Sequence, residues 1–252
     1  MGIGDRLRKV WLGRVPVLGV ALLTVASLAP QSGVSAATLK TLYRFCQQGG
    51  TNCTDGSVPE AGLITDTAGH LYGTTMGGGA HARGTVFELS PNAAKTIWTE
   101  RVLYRFCAQG STNCTDGASP QGLIMDAAGH LYGTSVGGGA HPVFGLGGGT
   151  VFELTPNAAK TIWTERVLYS FCALATCTDG RGPLAGLIMD AAGHLYGTTF
   201  YDGAHVTPSN EGGTVFELTP TQPRLSGRIR CCTAFACRAA QTAPTARTLG
   251  PG

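Results

Sequence analysis

Charge is scarce in this chain, with only 13% Asp, Glu, Lys and Arg among its 252 residues. That shortage, beside 38 glycines, excludes a helix-rich fold and leaves β structure with many turns. Clusters of basic side chains are missing from the body of the protein. The formal net charge of +3 comes from the two ends, where Arg6, Arg8, Lys9 and Arg14 stand near the start and Arg224, Arg228, Arg230, Arg238 and Arg247 near the finish. Between Ala37 and Pro220, 9 basic side chains stand against 14 acidic ones, a net charge of −5. This excludes a nucleic-acid partner bound by displacing phosphate counterions. Long apolar runs are missing too, because Arg14 and Pro16 cut the N-terminal hydrophobic stretch below the roughly 20 residues a spanning helix needs. No Asp-x-Asp-x-Asp loop of the calcium-binding kind occurs, and no acid–base constellation is unique to one part of the chain. No cofactor or metal is expected.

The N-terminus has the three parts of an export signal: a basic start through Lys9, an apolar stretch from about Val15 to Ala29, and the small residues Val34-Ser35-Ala36-Ala37. Cleavage is expected after Ala36, making residues 1–36 a signal peptide and leaving no membrane span. An uncleaved membrane anchor is the alternative. The mature protein is then secreted, periplasmic or held at the cell surface.

Self-similarity dominates the chain beyond this segment. Gly-Leu-Ile-Met-Asp-Ala-Ala-Gly-His-Leu-Tyr-Gly-Thr occurs from Gly122 and again from Gly186, with a near copy from Gly62. Thr-Val-Phe-Glu-Leu starts at Thr85, Thr150 and Thr214, and a cysteine follows Leu-Tyr-x-Phe at Cys46, Cys107 and Cys172. Residues 37–220 therefore form one three-repeat domain, with copies at about 39–91, 92–156 and 157–220.

Each copy holds four short runs rich in β-branched and aromatic residues, separated by Gly, Asn, Asp and Pro. In the second they are Gly122–Asp126, His130–Ser135, Gly149–Leu154 and Thr161–Phe171. Asp-x-Ala-Gly-His joins the first two as a tight hairpin, with Gly129 free to take a positive φ. Four such strands make one blade of a β-propeller, so the fold class is all-β, a propeller-like array of three four-stranded blades. The chain begins with a fourth-strand sequence, Leu39–Phe45, and its repeats end on a third-strand one, Gly213–Leu218, as in a ring whose first strand completes its last blade. Closed propellers typically have four to eight blades. An open three-blade stack, a six-blade ring made with a second copy, and a shortened piece of a longer array all fit.

From Thr221 the repeat pattern stops, and residues 221–252 read as an irregular or disordered tail. A low-complexity extension, a surface-attachment segment and a frameshifted further repeat are all compatible with its Arg and Ala bias.

Leu-Tyr-x-Phe, Gly-Leu-Ile-x-Asp-x-Ala-Gly-His-Leu-Tyr-Gly-Thr and Gly-Thr-Val-Phe-Glu-Leu-x-Pro, taken together over about residues 39–220, resemble the bacterial GloVer tandem repeat. The resemblance implies an exported propeller-like protein, often anchored through a variable C-terminus, with no assigned activity and no catalytic residue to carry over. Where that family usually has Asn before Leu-Tyr-Gly, this chain has His70, His130 and His194.

The cysteines fall as one pair per copy, Cys46 with Cys53, Cys107 with Cys114 and Cys172 with Cys177, followed by Cys231, Cys232 and Cys237 in the tail. An exported chain meets an oxidising compartment, so three loop-closing disulfides are expected; the spacing is poor for a zinc site. The tail leaves one thiol over for pairing between chains. The hairpin histidines are read as turn residues that tolerate a left-handed backbone, with metal binding at a ring axis as the alternative. His81, His141 and His205 recur in the following Gly-Ala-His. Asp66, Asp126 and Asp190, like Asp55, Asp116 and Asp179 in Thr-Asp-Gly, are read as turn caps. Asn52 and Asn113 fit the glycosylation acceptor pattern, which matters only in a host with that machinery.

Symmetric residues serve the repeat, so a site is sought where copies differ. They differ most in the loop before the third strand, which marks Phe144, Tyr201, Asp202, Asn210 and Glu211 as candidate ligand contacts, tolerated loop variation being the alternative. Aromatic and polar groups together suit a carbohydrate, and a surface protein is the other partner considered. The function expected is an exported, non-enzymatic repeat module in a binding or structural role. A propeller-based hydrolase or lyase acting on polysaccharide, and a truncated fragment without independent function, are the alternatives.

Overall fold

The structure is a computed structural model that describes residues 37–48, 50–108, 114–141, 147–204, 211–219 and 228–231, the side chains of Glu211 and residues 228–231 excepted. The chain divides into two compact units, Met1–Lys40 and Thr41–Gly252. Of the first, residues 37–40 are described, exposed and without regular structure. The expected signal peptide and its cleavage site after Ala36 lie outside the described residues. All further description concerns the second unit.

Among the described residues, twelve strands form three four-stranded antiparallel sheets, each one blade. Blade 1 comprises β1 (Ile64–Thr65), β2 (Leu71–Thr75), β3 (Thr85–Pro91) and β4 (Trp98–Arg105). Blade 2 comprises β5 (Ala118–Met125), β6 (Leu131–Gly137), β7 (Thr150–Pro156) and β8 (Trp163–Ser170). In blade 3, β9 (Ile188–Met189), β10 (Leu195–Tyr201) and β11 (Glu211–Thr219) are completed by β12 (Arg228–Cys231). The repeat thus folds as the propeller-like array its periodicity predicts, with second-blade strands close to the expected spans.

The array has its cores between blades. Successive residues of a strand point to opposite faces, and in Thr-Val-Phe-Glu-Leu both faces are apolar. Val86 and Tyr72 of blade 1 pack with Leu123, Leu131, Phe152 and Leu154 of blade 2 in one core. Val151, next in sequence to Phe152, belongs to the following core with Leu187, Leu195, Phe216 and Leu218 of blade 3. Neighbouring residues of one strand therefore fill two different junctions. Phe106 and Phe171 of Leu-Tyr-x-Phe reach forward onto Phe152 and Phe216, with ring centroids 5.0 and 5.1 Å apart.

The start and finish depart from expectation. Leu39–Phe45 forms no strand; instead Phe45 stacks on Phe87 at 4.8 Å, as Phe106 does on Phe152. Side-chain docking of Tyr43 on Asp55 and of Phe45 on Phe87 holds these two residues beside blade 1. The fourth strand of blade 3 comes from β12, inside the stretch expected to be irregular. It pairs Arg230 with Glu217 in the register that sets Arg101 opposite Glu88 and Arg166 opposite Glu153. Backbone pairing needs free N–H and C=O groups in register, and these do not depend on the missing Leu-Tyr-x-Phe. The rest of residues 221–252 lies outside the described residues.

Candidate functional site

The recurring polar residues serve the repeat. In each hairpin the aspartate caps the turn: Asp66 Oδ1 accepts the backbone N–H of Ala68 and His70, and Asp126 and Asp190 do the same in their copies. The left-handed residue is glycine, at φ 84° for Gly129, and the histidines are not at positive φ. This corrects the backbone explanation for histidine. Its role lies in the ring, whose Nδ1 stands 3.0 Å from Asp66 Oδ2, 3.0 Å from Asp126 Oδ2 and 2.8 Å from Asp190 Oδ2. Against a desolvation that would raise it, the backbone and ring of His194 with the Tyr196 hydroxyl hold Asp190 down to about 2.

The Thr-Asp-Gly aspartates cap no local turn. Asp55, Asp116 and Asp179 are buried and tie the preceding Leu-Tyr-x-Phe to the blade, accepting hydroxyl bonds from Tyr43, Tyr104 and Tyr169 at 3.0, 2.8 and 2.7 Å. The same carboxylates accept the backbone N–H of Gln47, Ala108 and Ala173. Burial and the Asp55 bond push the Tyr43 hydroxyl up to about 12, so it stays a donor.

Two glutamates that sequence reasoning missed lie near these aspartates. Burial first, then the charge of Asp55, pushes Glu100 up to about 7, with Arg105 pulling the other way. Burial and Asp116 push Glu165 up to about 8. One oxygen of each glutamate and the Oδ1 of Asp55 and Asp116 are buried without a hydrogen bond, as are the indole N–H groups of Trp98 and Trp163. The alternation Trp-x-Glu, which sets both side chains on one face, was the available signal. Copy three differs, because Ile229 occupies the corresponding position opposite Leu218 and Asp179 Oδ1 accepts the Leu174 N–H at 3.3 Å.

Asymmetry converges in copy three. Among the predicted contacts, Phe144 and Asn210 lie outside the described residues, and Glu211 is described in its backbone alone, where it pairs with Tyr201 across β10 and β11. Tyr201 and Asp202 are adjacent and share a partner, Arg181. The guanidinium of Arg181 bonds the Asp202 carboxylate and lies over the Tyr201 ring, 4.5 Å from its centroid. Phe200, exposed, meets the Tyr201 ring edge-on at 4.6 Å.

Arg181 is a contact that sequence reasoning missed, although copies one and two have Ser57 and Ala118 after their Thr-Asp-Gly and only the third has arginine. Asp202 sits at φ 62°, where the other copies have Gly78 and Gly138 at 72° and 79°. A Cβ on those glycines would stand 2.5 Å from the carbonyl oxygen of Cys53 and 2.3 Å from that of Cys114. In copy three the disulfide loop has a sequence separation of 5 instead of 7, and the aspartate is accommodated beside it. Aspartate is one of the few non-glycine residues that tolerates this backbone. A shortened loop, a glycine replaced by Asp and a small residue replaced by Arg thus form one coupled change.

All three expected disulfides are present, Cys46–Cys53, Cys107–Cys114 and Cys172–Cys177. Among the described residues the one group of three potential metal ligands is Cys172, Cys177 and Asp202, and its two sulfurs are joined to each other. No described helix is long and apolar enough to cross a membrane.

Residues 24–249 match the Gloeobacter/Verrucomicrobia repeat. Among solved structures, a bifunctional GH43-CE protein of Bacteroides eggerthii is similar with a TM-score of 0.40 at 13% identity. That similarity covers 66% of this chain and 19% of the other. No curated protein matches. With three blades of one repeated pattern and a match over most of its length, the chain belongs to the Gloeobacter/Verrucomicrobia repeat family.

Proposed function

We propose that this protein is an exported, non-enzymatic repeat module that binds a carbohydrate through the loop face of copy three. The observation that carries this reading is the Arg181–Asp202 pair set beneath Tyr201, with Phe200 exposed beside it. An aromatic face offers a sugar ring an apolar platform, and the largely buried Arg181–Asp202 pair beneath it holds that ring in place. Export is supported by the N-terminal pattern through Ala36 and by the three disulfides, which persist in an oxidising compartment. A hydrolase needs two carboxyl groups with separate roles in an accessible place, whereas Glu100 with Asp55 and Glu165 with Asp116 recur in two copies and keep oxygens buried.

The test is a screen of the oxidised protein against a panel of bacterial and plant oligosaccharides, followed by calorimetry on any ligand found. Tyr201→Ala and Arg181→Ala should each weaken binding at least tenfold. No binding by the wild type, or binding that neither substitution changes, overturns the reading.

A further inference from the structure

Both junctions inside the chain are built alike. Each joins a leading face, carrying an isoleucine, a Thr–Val cross-strand pair and a tyrosine, to a trailing face carrying leucines and a phenylalanine. At the first, Tyr72 and Val86 meet Leu123 and Phe152. At the second, Val151 meets Leu187 and Phe216, and the Thr134 hydroxyl donates to the Ala185 carbonyl at 2.9 Å. The leading face of blade 3 carries the same pattern in Ile188, Thr198 and Val215 without a following blade among the described residues. Val215 is 47% exposed, where Val86 and Val151 are 0% exposed. Ile188 and Thr198, on the same face, are exposed as well. At the other end, Leu63 on the trailing face of blade 1 is 53% exposed, where Leu123 and Leu187 are 5% and 4%. One chain therefore displays an open leading face on blade 3 and, on blade 1, the Leu63 edge of a trailing face whose Phe87 and Leu89 are already buried, Phe87 against Phe45.

We propose that the leading face of blade 3 docks on the trailing face of blade 1 of a second copy, and that two such junctions close a six-blade ring. The three described blades fall short of the four to eight of closed propellers, and twice that number lies within the range. A two-fold axis makes both new junctions identical and takes Ile188, Val215 and Leu63 out of water. The partner is a second copy because the missing surface is one this chain already builds for itself, in the same residues and the same order.

The experiment is light scattering on the full chain expressed in a secreting host, with Cys231, Cys232 and Cys237 replaced by Ser so that tail thiols cannot link chains. The expected mass is twice that of one chain. Ile188→Asp with Val215→Asp should halve it while the circular dichroism spectrum is unchanged, and Leu63→Asp on the other half of the junction should do the same. A folded wild type with the mass of one chain, a ladder of larger masses, or a two-chain mass unmoved by all three substitutions overturns the proposal.

Discussion

Blades 1 and 2 bury the valine of Thr-Val-Phe-Glu-Leu completely, while blade 3 leaves the same valine half exposed. The strands that carry it have nearly the same sequence and the same cross-strand partners: Val86 opposite Thr74, Val151 opposite Thr134, Val215 opposite Thr198. Burial in this repeat is therefore a property of the neighbouring blade and not of the strand itself. Copy three also departs in its loop, where Arg181 stands in place of Ser57 and Ala118, Asp202 in place of Gly78 and Gly138, and the cysteine loop is shorter. The third copy keeps the repeat's framework and changes what the framework presents.

That contrast can be broken by paired substitutions at equivalent positions. The largest effect is expected from Val151→Asp, which sets an unpaired charge in a closed junction and should abolish cooperative unfolding, whereas Val215→Asp should leave the circular dichroism spectrum intact. Next is Phe171→Ala, expected to cost about 3–5 kcal/mol in urea denaturation, since the ring is fully buried on Phe216. Phe45→Ala, at the corresponding but only half-buried place, should cost less than half as much.

Removing a disulfide should cost about 2–3 kcal/mol in any copy, because closing these short loops restricts the unfolded chain to similar extents. Replacing Cys172 and Cys177 by Ala should in addition weaken ligand binding, since Asp202 lies beside that bond; replacing Cys107 and Cys114 should not.

A further expected effect concerns pH. Glu100 and Glu165 have pKa values raised in the folded state to about 7 and about 8, from 4.5 as the ordinary value, so the folded protein binds more protons than the unfolded chain between those limits. Their contribution to stability is intact below about pH 4.5 and is lost as pH rises through about 7 and then about 8. Glu165→Gln should flatten the upper part of this fall, as seen by denaturation at pH 5 and pH 9. An unchanged profile would remove the Glu165–Asp116 pair from the account.

Much of the fold was legible because the sequence repeats itself. Three occurrences of Asp-x-Ala-Gly-His between apolar runs are enough to locate three hairpins, and pairs of cysteines at short spacing anticipate three closed loops. What the repeat hid was the division of adjacent residues between two cores, since Val151 and Phe152 look alike in a strand that is apolar on both faces. Glu100 and Glu165 were overlooked because a charged residue in a strand reads as solvent-facing, although its neighbours two positions away, Trp98 and Trp163, are the inward ones. β12 was invisible for a different reason: Arg-Ile-Arg-Cys shares with the other fourth strands only the arginine set opposite a glutamate, and it joins its sheet by backbone register. At the candidate site Tyr201 and Asp202 stood out as departures from the other copies, but Arg181 lies 21 residues from its partner and only the fold brings them together.

The most direct test of the central contrast is cross-linking of Leu63→Cys, Val215→Cys protein with a short bismaleimide, in the background lacking the three tail cysteines. If the open faces of blades 1 and 3 are two halves of one junction, mass spectrometry will find the 63-to-215 link in a covalent two-chain species. A 63-to-215 link confined to single chains, or no link at all in folded protein, would contradict it.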